Sequence, residues 1–404
     1  MTSAGVIGCP DCGTRQTIPA PAIASVIRCV SCAGLLERTH GRSITLALAF
    51  SAAVLLLLLP ANLAMFLRTD ALGVSRSSLL GSSALVMLRD GWPWLALVVA
   101  LSVVVFPIVR FGLLTAVLGA LELDRRPRWI GPAFLWANRL QTWAMPDVFL
   151  LGLAVAYARL ADSIAVRVGP GALAFIAAGI LSLFVRATLD KTAVWERIAP
   201  DQAPADPVHA LECPGCELLL PPEREGCACP RCSATIVRRK PQSLSRTIAL
   251  TAAALLLYIP ANIYPLATLP INYKPTTYTV LEGVIELAQA GLWDLALLVF
   301  CASFLIPFMK LAGISWCVWS VLTRSNTRLV AKTRVYRVVE EIGRWSMVDP
   351  FVIGAFVPVM TYNSLIYGRA EAAAVPFTAV VVLTIISAKT FDPRLMWDAA
   401  RGRA

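Results

Sequence analysis

Eight of the eleven cysteines stand in four CxxC pairs, and the pairs form two separate groups. Within a group the second pair follows the first after sixteen residues in one case and twelve in the other, a spacing typical of zinc ribbons. Two such pairs can place four thiolates around one tetrahedral ion. The sequence therefore predicts two metal sites. Their ligands are Cys9, Cys12, Cys29 and Cys32 in the first site, and Cys213, Cys216, Cys229 and Cys232 in the second.

Zinc is the preferred metal for both sites, although iron in a rubredoxin-like site uses the same four thiolates. Four protein ligands leave no open coordination position, which favours a structural role over catalysis. Cys227 is a spare thiol, and we expect Cys229 to be the ligand because it restores the CxxC spacing. Gly13 and Gly215 suit the tight turns around the sulfur atoms. Reversible thiol oxidation is the alternative interpretation of the pairs.

A second group of candidate residues consists of ionisable and hydroxyl side chains within very apolar stretches. Such residues are costly in a bilayer and mark functional sites by default. The second half of the chain holds the fuller set, and we predict it to be the active half. This polar cluster comprises Ser303, Lys310, Ser346, Asp349 and Thr384. The first half keeps Arg110, Asp147 and Ser182 at the matching positions.

Lys310 and Asp349 are expected in the same half of the membrane, at a depth where they could pair. An ion pair that only fixes helix packing is the alternative, both here and for Arg110 with Asp147. A further alternative is that Lys310 extends its side chain to the inner membrane surface.

Composition places these residues in a membrane protein. Hydrophobic residues make up 57% of the 404 residues and charged residues only 15%, whereas a soluble chain carries about 25% charged residues. A membrane span needs about 20 mostly apolar residues. Eight spans are predicted, at residues 44–67, 94–121, 144–161, 171–185, 248–269, 292–321, 347–367 and 374–388.

Basic residues concentrate in the loops after the second and sixth predicted spans. The positive-inside rule places these loops in the cytoplasm, and both termini then also lie in the cytoplasm. The net charge of +11 follows from this bias. The basic residues are dispersed over separate loops, which argues against a nucleic-acid partner. The two loops carry Arg125, Arg126, Arg128 and Arg139, and Arg324, Arg328, Lys332, Arg334, Arg337 and Arg344.

The chain repeats itself at an offset of about 200 residues. Residues 55–62 match residues 255–262, and residues 143–147 match residues 345–349. Each half holds four predicted spans, so the two halves have the same orientation and form parallel repeats. The interface of such repeats is a natural place for a substrate path.

The predicted fold class is an all-α polytopic membrane protein. It has two tandem four-helix transmembrane units, each preceded by a small cytoplasmic zinc-ribbon (rubredoxin-like) module. The expected boundaries are residues 1–42 for the first ribbon, 43–190 for the first unit, 191–242 for the linker and second ribbon, 243–390 for the second unit and 391–404 for a cytoplasmic tail.

Smaller features refine this prediction. Pro107 and Pro307 are expected to interrupt the second helix of each unit. Asn62 and Asn262, two residues after Pro60 and Pro260, are expected to hydrogen-bond to the helix backbone near those prolines. Residues 273–280 are rich in threonine and tyrosine and predict a short strand.

The pattern as a whole resembles the paraquat-inducible protein A family, and within it the LetA/PqiA type of inner-membrane protein. The resemblance rests on the tandem CxxC ribbons, the Pro-Ala-Asn motifs at 60–62 and 260–262, the Pro-x-x-Lys/Arg helix and the Trp-x-Met-x-Asp helix start. It covers nearly the whole chain.

The resemblance implies a multipass protein of the bacterial inner membrane that works with a periplasmic MCE-domain partner. That partner forms a tunnel toward the outer membrane, and the implied cargo is phospholipid. The implied functional residues are the ribbon cysteines and the polar cluster. We expect no enzymatic activity, and the chain has no GxxxxGK[ST] motif for a P-loop ATPase. The rival hypotheses are a membrane redox protein that uses Cys-bound iron or dithiols, and a structural anchor that recruits a partner.

Overall fold

The computed structural model describes residues 5–18, 26–38, 44–71, 74–89, 91–161, 165–199, 210–271, 274–348, 350–352 and 369–402. The chain is mostly helical, which confirms the predicted class, and the same order of elements occurs in both halves. The first half has helices Ile44–Leu63 (α1), Ser82–Arg89 (α2), Pro93–Glu122 (α3), Ile130–Leu140 (α4), Pro146–Ala161 (α5), Pro170–Thr188 (α6) and Lys191–Ile198 (α7).

The second half follows the same plan. Its described helices are Ser243–Ile263 (α8), Val280–Gln289 (α9), Trp293–Leu322 (α10), Leu329–Ile342 (α11), Ala374–Thr390 (α12) and Arg394–Ala400 (α13). A 3-10 turn at Gly343–Met347 connects α11 to the start of the seventh predicted span. Only the first residues of that span are described, and they are helical.

Five described helices are long and apolar enough to cross a membrane, namely α1, α3, α6, α8 and α10. The helix α12, followed after a 52° bend by α13, is a sixth candidate. The helix α5 is a shorter apolar helix at the position of the third predicted span. The seventh predicted span, residues 347–367, lies largely outside the described residues.

Each unit carries a small three-stranded sheet, which lies at the end of its first helix that is remote from the ribbon. In the first unit Leu67–Ala71 lies between Val74–Ser78 and Ala165–Val168. In the second unit Ala267–Ile271 lies between Lys274–Tyr278 and Arg369–Ala370, all antiparallel. The strand predicted at residues 273–280 is therefore present, and its sheet ties the end of α8 to the segment that precedes α12.

The second span of each unit contains a π-helical turn, at Ala100–Val105 and at Cys301–Leu305. Pro107 and Pro307 follow directly, as the second residue of the next α-helical segment. Proline has no N–H and clashes with the carbonyl of the preceding turn, and the wider π turn accommodates it. The predicted interruption is thus a local widening within one 30-residue helix.

Pro60 and Pro260 lie inside α1 and α8, close to their ends. The side-chain amides of Asn62 and Asn262 donate to the carbonyls of Leu58 (2.7 Å) and Tyr258 (2.8 Å). These bonds to the helix backbone agree with the structural role that the sequence predicted for both asparagines.

Each ribbon is docked on the transmembrane unit of the other half. The first ribbon, with strands Gly5–Gly8, Arg15–Ile18, Val26–Arg28 and Leu35–Arg38, packs its cysteines against Ile314, Tyr336, Phe391 and Trp397 of the second unit. In the second ribbon, with strands Leu211–Glu212 and Leu219–Leu220, the backbone of Arg231 lies so close to α4 of the first unit that only glycine fits at Gly131.

Polar contacts fix this exchanged arrangement. Arg337 of α11 donates to the carboxylate of Asp11 (2.6 Å) and to the carbonyl of Cys32 (3.2 Å) in the first ribbon. Arg15 of the first ribbon donates to the carbonyl of Ala210 at the start of the second. The ribbons therefore contact each other as well as the opposite units.

The short helices after the last span of each unit are organised by matching aspartates. Asp190 caps α7 by accepting a hydrogen bond from the N–H of Ala193 (3.0 Å). Asp392 accepts from the N–H and the guanidinium of Arg394. Burial opposes the charge of Asp392, yet these hydrogen bonds hold the pKa of its carboxyl below the usual value. The repeated residue thus keeps a repeated role after the last span of each unit.

The exchange predicts a specific charge coupling between the first ribbon and the second unit. Asp11→Arg or Arg337→Asp alone is expected to destabilise the protein by about 1–3 kcal/mol, because a hydrogen-bonded charge loses its partner. The double variant is expected to recover most of that loss in thermal unfolding of the purified protein.

The matched control is the exposed pair of Arg126 and Asp124, 3.5 Å apart, where the same reversals are expected to change little. Additive effects of Asp11→Arg and Arg337→Asp would contradict the exchanged docking.

Candidate functional site

The four sulfur atoms of each cysteine quartet converge on one point. Within each quartet all Sγ atoms lie within 4.8 Å of one another. The Sγ–Sγ distance is 3.5 Å for Cys9–Cys32 and 3.5 Å for Cys12–Cys29, and two pairs of the second quartet are 3.5 and 3.6 Å apart. A tetrahedral ion with Zn–S bonds of about 2.3 Å requires S–S separations of about 3.8 Å. Both quartets therefore fit one tetrahedral metal ion, with a donor set that suits zinc and iron alike.

A repeated backbone turn presents the thiolates. In each CxxC pair the N–H of the following residue donates to the carbonyl of the first cysteine, at 2.9–3.0 Å. That residue always has a left-handed conformation, with φ between 55° and 69°. The four residues are Gly13, Ala33, Glu217 and Ser233. Gly13 matches the predicted role of a turn glycine. Gly215 does not occupy the left-handed position; its lack of a side chain instead makes room for Leu135 and Ala234.

The spare cysteines lie outside both quartets. Cys227 is exposed and the structure brings Cys229 into the second quartet. Cys317 is buried and donates weakly to the carbonyl of Lys332 at 3.8 Å. Cys301 lies in the π turn and is half-buried.

Charged side chains lie beside both cysteine quartets. Arg337 donates to the sulfur of Cys32 at 2.8 Å, which places a cation beside a cluster that would carry excess negative charge with a divalent metal. Such contacts orient metal ligands and tune their charge. Next to the second quartet, burial raises the pKa of Glu212 to about 7, and Arg394 lies 3.7 Å from its carboxylate.

Lys310 is the centre of the polar cluster. Its ammonium donates to the hydroxyl of Ser346 (2.8 Å) and to the carbonyl of Gly343 (3.1 Å), and the side chain is only 2% exposed. The ammonium is held inside the second unit, so the alternative in which Lys310 extends to the inner surface is wrong. Asp349 lies outside the described residues, and its pairing with Lys310 stays a prediction.

Ser303 and Thr384 lie on elements that pack around the same turn. Ser303 belongs to the π turn of α10, which contacts the Gly343–Met347 turn. Its hydroxyl is buried and has no hydrogen-bond partner among the described residues. Thr384 is on α12, which contacts both the turn and α10, and its hydroxyl donates within its own helix to Val381 (2.9 Å). The structure thus bonds Lys310 to Ser346 and brings the elements that carry Ser303 and Thr384 against them.

The first unit arranges its matching residues differently. Arg110 is 2% exposed and stacks over Phe111, with 4.8 Å from its guanidinium carbon to the ring centre. Ser182 donates to its own helix at Gly179 (2.7 Å). Asp147 pairs with Arg186 (3.4 Å) and Arg344 (3.7 Å). The alternative of a simple Arg110–Asp147 ion pair is therefore not the arrangement among the described residues.

Sequence reasoning missed three contributors to these sites. Gly343 acts through its backbone carbonyl, for which a sequence carries no signal. Arg337 and Arg344 were counted only as positive charges of a cytoplasmic loop. For Arg344 the sequence did hold a signal, because this residue directly precedes the Trp-x-Met-x-Asp motif.

Two tandem helical units with paired four-cysteine modules define a multipass membrane protein built by internal duplication. The family model of paraquat-inducible protein A matches residues 44–199 and, a second time, residues 244–401. The chain belongs to this family.

Curated relatives extend over most of the chain. "Intermembrane transport protein PqiA" of Escherichia coli (strain K12) is 30% identical over 87% of this chain and 85% of that protein. "Lipophilic envelope-spanning tunnel protein A" of the same organism is 32% identical over 66% of this chain and 62% of that protein. A "Probable intermembrane transport protein" of Haemophilus influenzae is 25% identical over 77% and 76%. No solved structure is a significant match.

The quartet geometry predicts the metal content. The purified full-length protein is expected to hold about two metal ions, and Cys229→Ser about one, because a tetrahedral site that loses one of its four ligands binds metal weakly. Cys227→Ser is the matched control and is expected to keep about two. Elemental analysis by mass spectrometry measures both the amount and the identity of the metal. Loss of metal from Cys227→Ser with retention in Cys229→Ser would reverse the ligand assignment.

Proposed function

We propose that this chain is the inner-membrane component of an intermembrane phospholipid transport system. It passes lipid between the inner membrane and a periplasmic tunnel formed by an MCE-domain partner. Support comes from membership in the family, from relatives that are named intermembrane transport proteins, and from the polar cluster inside an otherwise apolar unit.

The buried ammonium of Lys310 is the observation that carries this proposal. Its described partners, Ser346 and Gly343, are neutral oxygen acceptors. Within the described part of the chain this ammonium is held by neutral groups alone, and such a cation remains attractive to an anion. A phosphodiester head group supplies that anion, and the apolar helices around it suit the acyl chains.

The second unit is the more suitable of the two for this role. At the position that matches Ser346 the first unit has Ala144, and at the position of Ser303 it has Val103. Only the second unit therefore has a hydroxyl at both of these matched positions beside its buried cation. We propose Ser303, Lys310, Ser346, Asp349 and Thr384 as the residues that handle the lipid head group.

We propose that the ribbons act as structural braces, with zinc as the metal. Each quartet is closed and buried, and neither leaves a coordination position for a substrate. Exchanged docking means that each metal site holds the cytoplasmic ends of the opposite unit in place. When bound, the metal supplies cross-links between loop segments that are too short to form a stable hydrophobic core of their own.

The proposed orientation places both termini and both ribbons in the cytoplasm. The basic loops correspond to α4 and α11 and their neighbouring turns, and these are the elements on which the ribbons dock. The three-stranded sheets then lie on the periplasmic side, next to the proposed partner.

The lipid role of Lys310 has a matched control in Lys332. Lys332 is also buried and donates to the hydroxyls of Ser320 (2.8 Å) and Ser325 (2.9 Å), but it lies outside the polar cluster. Lys310→Ala is expected to lower phospholipid transfer roughly 10–100-fold, as expected for a charged hydrogen bond of about 1.5–3 kcal/mol. Lys332→Ala is expected to retain transfer at equal expression.

The measurement is transfer of labelled phospholipid from proteoliposomes that contain the full chain to the MCE-domain partner. Growth under detergent stress, in a strain that depends on this protein, is the cellular counterpart. Full transfer by Lys310→Ala would contradict the proposed site.

The orientation can be tested with a native thiol. Cys227 is exposed on the second ribbon, so a membrane-impermeant maleimide is expected to label it in inside-out vesicles and not in intact spheroplasts. The variant Cys227→Ser supplies the background. Labelling of Cys227 in intact spheroplasts would place the ribbons in the periplasm.

A further inference from the structure

A ring of four charged side chains closes the seam between the two transmembrane units. Asp147 and Arg186 belong to the first unit, at the start of α5 and near the end of α6, while Glu341 and Arg344 belong to the second. Asp147 lies 3.4 Å from Arg186 and 3.7 Å from Arg344. Glu341 lies 3.3 Å from each of the same two arginines. Each arginine thus bridges a carboxylate of its own unit and one of the other.

Arg110 adds a fifth charge beside this ring. It is only 2% exposed, and its charged neighbours are Arg186, Asp147 and Arg344. The Nε of Arg110 and the Nε of Arg344 are both buried without a hydrogen-bond partner among the described residues. We call Arg110, Asp147, Arg186, Glu341 and Arg344 the seam cluster.

The charges of the seam cluster do not balance. Three guanidinium groups face two carboxylates, and Glu341 is 72% exposed, so water screens much of its charge. Asp147 is 10% exposed and already shared by two arginines. A guanidinium cannot lose its proton in a protein, and an uncompensated buried charge is strongly unfavourable. Among the residues that the structure describes, the cluster therefore lacks one anion.

We propose that the seam cluster binds a phosphate group, carried on the head group of an anionic phospholipid from the inner leaflet. The planar fork of arginine matches the oxygens of a phosphate and binds it with paired hydrogen bonds. The unpartnered donors of Arg110 and Arg344 supply such contacts from both units. The surrounding helices are apolar spans, so acyl chains can lie beside them. The phosphate site is argued from the seam cluster itself. Only the choice of a phospholipid as the molecule that bears the phosphate rests on the proposed function.

This site is separate from the Lys310 cluster, yet one turn touches both. Gly343 and Ser346 accept hydrogen bonds from Lys310, whereas Arg344, between them in sequence, points its charge to Asp147 across the seam. The matching cation of the first unit has no such hydroxyl, because Ala144 stands where the second unit has Ser346. The Nε of Arg110 therefore has no acceptor among the described residues, whereas the ammonium of Lys310 donates to Gly343 and Ser346.

The test is thermal unfolding of the full-length protein in detergent, with phosphatidylglycerol or inorganic phosphate as the probe. Phosphatidylglycerol is expected to raise Tm by about 3 °C or more, since a ligand that binds only the folded state stabilises it. Arg110→Gln is expected to lose most of this rise. Arg126→Gln, which removes an exposed charge of the neighbouring loop, is expected to keep it.

Native mass spectrometry of co-purified lipid gives a second measurement, and Arg344→Gln gives a second variant if Arg110→Gln does not fold. Both variants are expected to retain less anionic lipid than the parent. An equal rise in Tm with inorganic phosphate alone would contradict the proposal that the phosphate is borne by a lipid. An unchanged response to phosphatidylglycerol in folded Arg110→Gln and Arg344→Gln would overturn the site itself.

Failure here is distinguishable from failure of the proposed function. Lys310→Ala is expected to lose transfer and still respond to phosphatidylglycerol, because its ammonium bonds to Gly343 and Ser346 and not to a residue of the seam cluster. A seam cluster that binds no lipid leaves the transfer result of Lys310→Ala unchanged.

Discussion

A positive charge inside an apolar bundle must find oxygen atoms, and this requirement shapes the second unit. Lys310 satisfies it with the carbonyl of Gly343 and the hydroxyl of Ser346. Those two atoms belong to a 3-10 turn that joins α11 to the next span. The lysine therefore fixes where α11 ends, and α11 in turn carries Arg337, which holds the first ribbon. A single hydrogen-bonded cation thus links the interior of the second unit to the first cysteine quartet.

The two duplicated units share one helical scaffold but differ in the polar side chains of their interiors. Both keep the π turn before a proline, the asparagine that bonds back to its helix, and the three-stranded sheet. They differ where a few side chains change, as at Ala144 and Ser346. In the second unit the cation is satisfied within its own unit, and in the first it faces charges across the seam. A few substitutions on a shared scaffold therefore distinguish a polar cluster inside one unit from a charge cluster between the units.

Local features of the fold could be predicted from sequence, whereas long-range choices could not. The CxxC spacing predicted both cysteine quartets, and long apolar runs predicted the five described helices that can cross a membrane. The sequence carried no signal for the exchanged docking of the ribbons, because docking on either unit satisfies the same local sequence pattern. The partner of Asp147 was missed for the same reason: Arg186 and Arg344 reach it only after two units pack together. The turn residues also show the limit, because Glu217 and Ser233 adopt a conformation that composition would assign to glycine.

Exchanged ribbons also carry information about ancestry. A forerunner with one ribbon and one unit would have made the same contacts between two copies of itself, as a two-fold dimer with swapped arms. Fusion of two such copies would turn those contacts into intramolecular ones, raise their effective concentration and remove the need for assembly. It would also free each copy to change alone. A dimer of identical subunits could not have arginine at this position in one copy and lysine in the other, as this chain does with Arg110 and Lys310.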